Sequence, residues 1–351
     1  MYPHRPHQRG FTLIELMVAV AIGLLLLAGL SSLFMGNNQA QLEIERANRQ
    51  VENGRYAMQL MTGDVRNAGY YAEFDPAVLT MPAAPPDPCS TDIAVIRGAI
   101  ALAVQGYDDK NPIDCLADVR TKTDIMVVRH THTCVVGAAD CDAATEGGPF
   151  FQASLCNQSY ELGSSDLTKH YQVSALATGF TLHKRNCTET PGSGSLADLR
   201  RLLTHIYFIA NNSMAGDGIP TLKRAEVVSK NGVVSVQIVP LAEGIENMQV
   251  EYGIDTDNNG VADIYTPDVE KAGGCASSAC AVANWSNVVS VKLHLLARTL
   301  SPSVTHTDTK SYVLGLDDNG RQNVINAKRD KYKRHVFTSV IGLPNVAGRK
   351  S

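Results

Sequence analysis

The 351-residue chain has no surplus of positive charge: 31 lysines and arginines face 35 aspartates and glutamates, a formal net charge of −4. That balance removes the long-range attraction on which general nucleic-acid binding rests, so nucleic acid is not expected as a direct partner. Also missing are an internal repeat, a Walker phosphate loop, an HExxH zinc motif and a GxSxG nucleophile elbow. Gly192-Ser193-Gly194-Ser195 has the wrong register for such an elbow and sits in a linker-like PGSGS. No CxxC pair offers a zinc knuckle. The chain is therefore not expected to be an enzyme. With 44% hydrophobic and 19% charged residues it can bury a sizeable core and is not a disordered polymer.

What the sequence does have, at its start, is one long apolar run. Phe11 to Met35 reads FTLIELMVAVAIGLLLLAGLSSLFM, with Glu15 as its single charge. As a helix it is long enough to cross a hydrocarbon core about 30 Å thick. Arg5 and Arg9 precede it and Glu43 and Glu45 follow, which predicts an N-terminus held in the cytoplasm and an exported remainder. No small-residue cleavage site separates the run from the polar stretch that starts at Asn37, so removal as an ordinary secretory signal is not expected.

Arg9-Gly10 abuts Phe11-Thr12-Leu13-Ile14-Glu15, and this string resembles the class III signal of type IV pilins and of the pseudopilins of type II secretion. The resemblance implies that a prepilin peptidase cuts between Gly10 and Phe11 and methylates the new Phe11 amine. A carboxylate among lipid tails is costly, charged groups at mid-membrane scoring roughly +2.5 to +3.5 kcal/mol on insertion scales. Glu15 therefore needs a cationic partner, and in the family that partner is the freed amine of a neighbouring subunit, which sets axial register as helices pack into a filament.

Beyond the span, Ile44, Ala47, Val51, Gly54, Met58, Met61, Val65 and Ala68 recur at spacings of three and four, one stripe of a continuing helix. Phe11 to Ala68 is 58 residues, roughly 87 Å of helix, more than a bilayer requires. The small residues on the stripe predict packing on a sheet rather than a zipper. Asp75 to Pro88 holds five prolines and predicts an exposed connection. From Asp92 the pattern reads mainly as strands: 92–97, 99–107, 124–133, 201–209, 232–239, 247–254, 287–297 and 335–343. In the stretch from Asn287 to Ala297, Val289, Val291, Leu293 and Leu295 alternate with Ser290, Lys292 and His294. This predicts a sheet with one wet face and one apolar face on which the helical stripe sits.

Asp255, Asp257, Asn259, the Val261 carbonyl and Asp263 recur around Gly260 at the spacing of the first part of a calcium loop. Thr266 stands where an EF-hand has its bidentate glutamate, leaving Asp268 or a carbonyl to complete the shell; the alternative is an acidic turn without an ion. The surrounding ENMQVEYGIDTDNNGVADIY, followed by NWSNVVSVKLHLLAR, resembles the C-terminal signature of PilW-type minor pilins of type IV pili, in which a DxDxDG loop is frequent. Asn259 departs from that loop and lowers its charge. The resemblance covers roughly residues 9–72 and 200–343 and is weakest across 108–200.

Eight cysteines, all beyond the N-terminal quarter, point to disulfides and an oxidising compartment. Cys134–Cys141 and Cys275–Cys280 are the expected local pairs, with Cys89–Cys115 and Cys156–Cys187 as further candidates, all bracing loops. His130, His132 and Cys134 alternate along one strand and share a face, a zinc or copper possibility that a Cys134–Cys141 disulfide displaces. The basic run Lys328, Arg329, Lys331, Lys333 and Arg334 reads as an edge strand guarded by charge.

The expected fold is α+β and pilin-like, a long N-terminal helix on an antiparallel sheet with loop insertions over 108–200. The expected organisation is a leader at 1–10, a transmembrane and assembly helix at 11–36, the amphipathic half of the helix at 37–69, a linker at 70–91 and an exported β-rich domain at 92–345. The function that the resemblance implies is that of a minor pilin that primes and joins type IV pilus assembly at low copy or near the tip. Its partners would be other minor pilins, the major pilin, prepilin peptidase, the assembly platform and the inner membrane, and Ca²⁺ is the candidate ion. Alternatives are a J-type minor pseudopilin of type II secretion, and a membrane-anchored calcium-binding adhesin or periplasmic binding protein.

Overall fold

Thr12 opens the first helix because its side chain and that of Glu15, three residues on, each satisfy an otherwise orphaned N–H at the helix start, the reciprocal box that T-x-x-E sequences form. A computed structural model describes residues 10–139, 141 and 147–350; Arg5 and Arg9 of the expected leader, and residues 140 and 142–146 of the insertion, lie outside the described residues. Helix α1 runs over Leu13–Asn67. The chain divides into two units, residues up to Arg49 and residues from Gln50. In the first, the side chains of Leu13–Met35 stand exposed along a helix that is long and apolar enough to span a bilayer.

The second unit holds the last turns of α1 and, in chain order, α2 (Ile93–Ala99), β1 (Val104–Tyr107), β2 (Ile125–Thr131), β3 (Phe150–Ala153), β4 (Tyr171–Ser174), β5 (Leu199–Ala210), β6 (Thr221–Lys230), β7 (Val233–Glu243), β8 (Ile245–Ile254), β9 (Ile264–Thr266), α3 (Ser278–Ser286), β10 (Val288–Arg298), β11 (Tyr312–Leu316), β12 (Gln322–Ile325), β13 (Arg334–Gly342) and α4 (Pro344–Ala347). One sheet has the order β1-β2-β5-β3-β4, with β6 on the other part of the long β5 and β7 beside β6; a second has the order β13-β10-β8-β9; β11 and β12 form a ribbon. The pairings within these sheets are antiparallel.

The buried positions of α1 are Gln50, Gly54, Ala57, Met61 and Val65, continued by Ala68. Four of the expected stripe positions are among them. Ile44 is instead exposed and Val51 and Met58 only half-buried, while Ala57 and Gln50 take their places. Gln50 is buried because its amide donates to the carbonyls of Ala297 (2.8 Å) and Lys333 (3.1 Å). Ala57, Met61 and Val65 share a core with Val291, Leu293 and Leu295 of β10, Val250 and Tyr252 of β8 and Tyr207 of β5, each large apolar side chain contributing about 1.5–3 kcal/mol. Val289 does not join that core. A register shift in the β8–β10 pairing between Val288 and Ser290 brings Val288 to the helix face in its place.

Three further expectations are corrected. Of the expected strand at 92–97, residues 93–97 instead belong to α2, because the Asp92 side chain accepts the Ala94 N–H at 2.8 Å and caps a helix start. The expected linker at 70–91 is not exposed throughout: Tyr71 and Phe74 at its start are buried with Phe151 and Tyr171, whereas 75–88 is mostly exposed or half-buried. The second face of β10 is not wet either, since Ser290 and His294 are buried. The ribbon β11–β12 covers it, with the Leu316 N–H donating to Glu251 (3.2 Å) and Asn323 to Gln249 (2.9 Å). The basic run does precede an edge strand, but Arg334 at its end is fully buried, paired with Glu246, Asp308 and Asp330 at 2.5–2.7 Å.

Candidate functional site

At the N-terminal end the candidate residues are Gly10, Phe11 and Glu15. Gly10 and Phe11 are exposed, Phe11 at 90%, and lie just ahead of the helix. Glu15 Oε2 accepts the Thr12 N–H (2.9 Å) and the Thr12 hydroxyl (2.8 Å), and the Glu15 N–H reaches back to Thr12 Oγ1 (3.3 Å). The carboxylate thus lies in the first helical turn, where the helix dipole also favours it. The T-x-x-E spacing is the sequence signal for this capping role.

The second site is the loop between β8 and β9. Asp255, at the end of β8, is fully buried, and its carboxylate oxygens accept the N–H groups of Asn259 (3.2 Å) and Gly260 (2.9 Å). Burial pushes the Asp255 carboxyl up, but the Gly260 amide and the Lys350 ammonium, 3.8 Å away, outweigh it and hold the group below its ordinary value. Gly260 has φ +82°, so the turn needs the left-handed conformation glycine adopts freely. One carboxylate oxygen each from Asp255, Asp257 and Asp263 lies within 4.8 Å of the others. This is an all-oxygen donor set suited to a hard cation. Asn259 turns its amide to Asp257 (3.0 Å) and its oxygen to the Val261 N–H (2.7 Å), and Val261 itself is exposed. Asp268, considered as a closing ligand, is engaged elsewhere, with Lys271 (2.7 Å) and Lys110 (3.8 Å).

The structure pairs Cys89 with Cys115, Cys134 with Cys141, Cys156 with Cys187 and Cys275 with Cys280. Cys134 is therefore no thiolate ligand beside His130 and His132.

A long apolar N-terminal helix that continues against antiparallel sheets, braced by four disulfides, defines an α+β protein of pilin-like organisation. Residues 5–31 match the prokaryotic N-terminal methylation motif, and residues 206–345 match the family described as Type IV Pilus-assembly protein W. Together the two matches support a PilW-type pilin of the type IV family, and the motif lies at the start of a helix long and apolar enough to cross a membrane. Among solved structures, a type IV-like pilin from Thermus thermophilus is similar over 58% of this chain and 87% of its own, at 13% identity and a TM-score of 0.24. No curated protein sequence matches the chain.

Proposed function

We propose that this chain is a minor pilin that prepilin peptidase cleaves between Gly10 and Phe11, with methylation of the Phe11 amine, and that primes and joins type IV pili at low copy or near the tip. Before assembly it would sit in the inner membrane as a single pass, the N-terminus cytoplasmic and the β-rich unit periplasmic. The observation that carries this reading is the position of Gly10-Phe11 directly before a capped, exposed apolar helix, within the segment matched to the methylation motif. The Phe11 amine of a neighbouring subunit would draw Glu15 away from Thr12 and fix the axial register of packed helices, a buried ion pair used for registry. Other minor pilins, the major pilin and the assembly platform are the partners this implies.

Asp255, Asp257, Asn259, the Val261 carbonyl and Asp263 would hold Ca²⁺, which offsets the repulsion of three carboxylates and stiffens the β8–β9 loop. Calorimetric titration with Ca²⁺ tests this: one site lost in Asp257→Asn supports it, and a flat wild-type trace refutes it. The wider reading is tested by deleting the gene and scoring pili, with a Glu15→Ala complement and a mass spectrum of the mature N-terminus. The complement is expected to insert in the membrane without restoring filaments, and the mature chain to begin at methylated Phe11. A mature protein that keeps its first ten residues in a host with active processing overturns the reading.

A further inference from the structure

Asp64 on α1, His130 on β2 and His205 on β5 line a cavity of about 640 Å³, with Tyr207 of β5 against Asp64. Both histidines are buried and the Asp64 side chain is 10% exposed. His130 Nε2 lies 2.8 Å from Asp64 Oδ1, His205 Nδ1 lies 3.0 and 2.9 Å from the two Asp64 oxygens, and the Tyr207 hydroxyl donates to Oδ2 at 2.9 Å. His130 Nδ1 lies 2.9 Å from the Thr131 carbonyl.

That last contact fixes the chemistry. A carbonyl oxygen only accepts, so His130 Nδ1 carries a proton, and in a neutral ring Nε2 then aims its lone pair at a carboxylate oxygen that also only accepts. Two acceptors 2.8 Å apart need a positive species between them. A second proton on the ring is one such species; a metal ion is the other. The contact to Thr131 is also the outer-shell hydrogen bond that metal-binding histidines use to present the opposite nitrogen to the ion.

We infer that Asp64, His130 Nε2 and His205 Nδ1 form a binding site for a divalent transition metal of the imidazole-preferring class, with Zn²⁺ as the probe. Two imidazoles and a carboxylate, with a fourth position open to the cavity, match a three-ligand zinc site. The ligand atoms lie within 4.8 Å of one another. Ligand separations in a tetrahedral zinc site are roughly 3.3 Å, given bonds of about 2.0–2.1 Å, so the two histidine–Asp64 contacts need to open by only a few tenths of an ångström, with the two imidazole nitrogens already within 4.8 Å of each other. The nearby Arg224 does not oppose a cation with a bare charge, because Glu226 pairs with it at 2.7 Å. The ion would tie α1 to two strands of the larger sheet, and the site is independent of the Asp255 loop and of the pilin reading.

The test uses the full chain, purified in detergent without a histidine tag, stripped with chelator and titrated with Zn²⁺, with bound metal counted per chain. Wild type and Asp257→Asn are expected to bind one ion and to gain roughly 5 °C in Tm at a hundredfold excess over Kd. His205→Gln and His130→Gln, shown folded by circular dichroism, are expected to bind at least tenfold more weakly. Co²⁺ added to wild type should give visible d–d bands from nitrogen and oxygen ligands, a readout that does not depend on the variants folding. Wild type that binds neither ion, or histidine variants that bind as wild type does, would show that the cluster is only a protonated ion pair and overturn the assignment.

Discussion

Two glycines nine positions apart on α1 should respond in opposite directions to the same added methyl. A Cβ at Gly63 would meet nothing within 4 Å, whereas one at Gly54 would lie 2.1, 2.6 and 2.7 Å from ring atoms of Phe337. Alanine in a helix interior is favoured over glycine by about 0.8–1 kcal/mol, so Gly63→Ala should stabilise by about that amount. At Gly54 the same gain is set against displacement of the Phe337 ring by more than an ångström. The ring belongs to the edge strand β13 and stacks edge-on with His335 at 4.7 Å, so moving it loses contacts on both sides. Overpacking typically costs 1–3 kcal/mol. This ring must move farther than a minor rearrangement allows, so the upper half of that range applies and the net loss is about 1–2 kcal/mol. Thermal unfolding of the full chain in micelles, followed by circular dichroism, should place Gly63→Ala about 2–4 °C above wild type and Gly54→Ala about 2–6 °C below it. Adding Phe337→Leu should recover part of the Gly54→Ala loss, a coupling between touching residues. If Gly54→Ala is as stable as Gly63→Ala, the helix does not seat on β13 as described.

Arg334→Met should destabilise by about 3–5 kcal/mol in denaturant titration, because Asp308 would be left as a buried charge without its cationic partner and Glu246 would keep only the longer contacts to Arg120 and Lys328 at 3.5 Å. Replacing Cys156 and Cys187 by serine, which opens a separation of 31 residues, should cost about 3–4 kcal/mol, against about 2 for Cys275 and Cys280, separated by 5. Equal losses on chemical denaturation would contradict that ranking. Burial, then the hydrogen bond to Asp318 and the charge of Asp124, push the Asp108 carboxyl up to about 9. A carboxyl whose pKa is raised by folding stabilises fully below its unfolded value near 4, and that contribution is lost as pH rises toward 9. Stability measured across that window should therefore decline less in Asp108→Asn than in wild type, and parallel profiles would refute the assignment.

Much of the architecture was legible because it rests on local periodicity. Met61, Val65 and Ala68 announced the buried side of α1, and the runs around β2, β5, β7, β8, β10 and β13 announced those strands. What misled was polarity serving a core. Gln50 reads as surface until the carbonyls of Ala297 and Lys333 are beside it, and Ser290 and His294 read as wet until the β11–β12 ribbon lies over them. At Val289 a one-residue shift in pairing reverses the parity that alternation assumes. The calcium-type loop was visible because its donors are adjacent in sequence. Asp64 is 66 residues from His130 and 141 from His205, so no spacing rule joins them; the one signal was that His130 and His132 share a face, and both do line the same cavity.

The Thr12–Glu15 box bears on how a subunit of the proposed kind would wait in a membrane. A carboxylate satisfied by its own backbone and a neighbouring hydroxyl needs no counter-ion to be tolerated near the headgroups. On the proposed function, docking would then be an exchange of donors at one oxygen rather than the rescue of an orphaned charge. The gain on docking would then be the difference between an ammonium and a hydroxyl at that oxygen, not the whole of an ion pair.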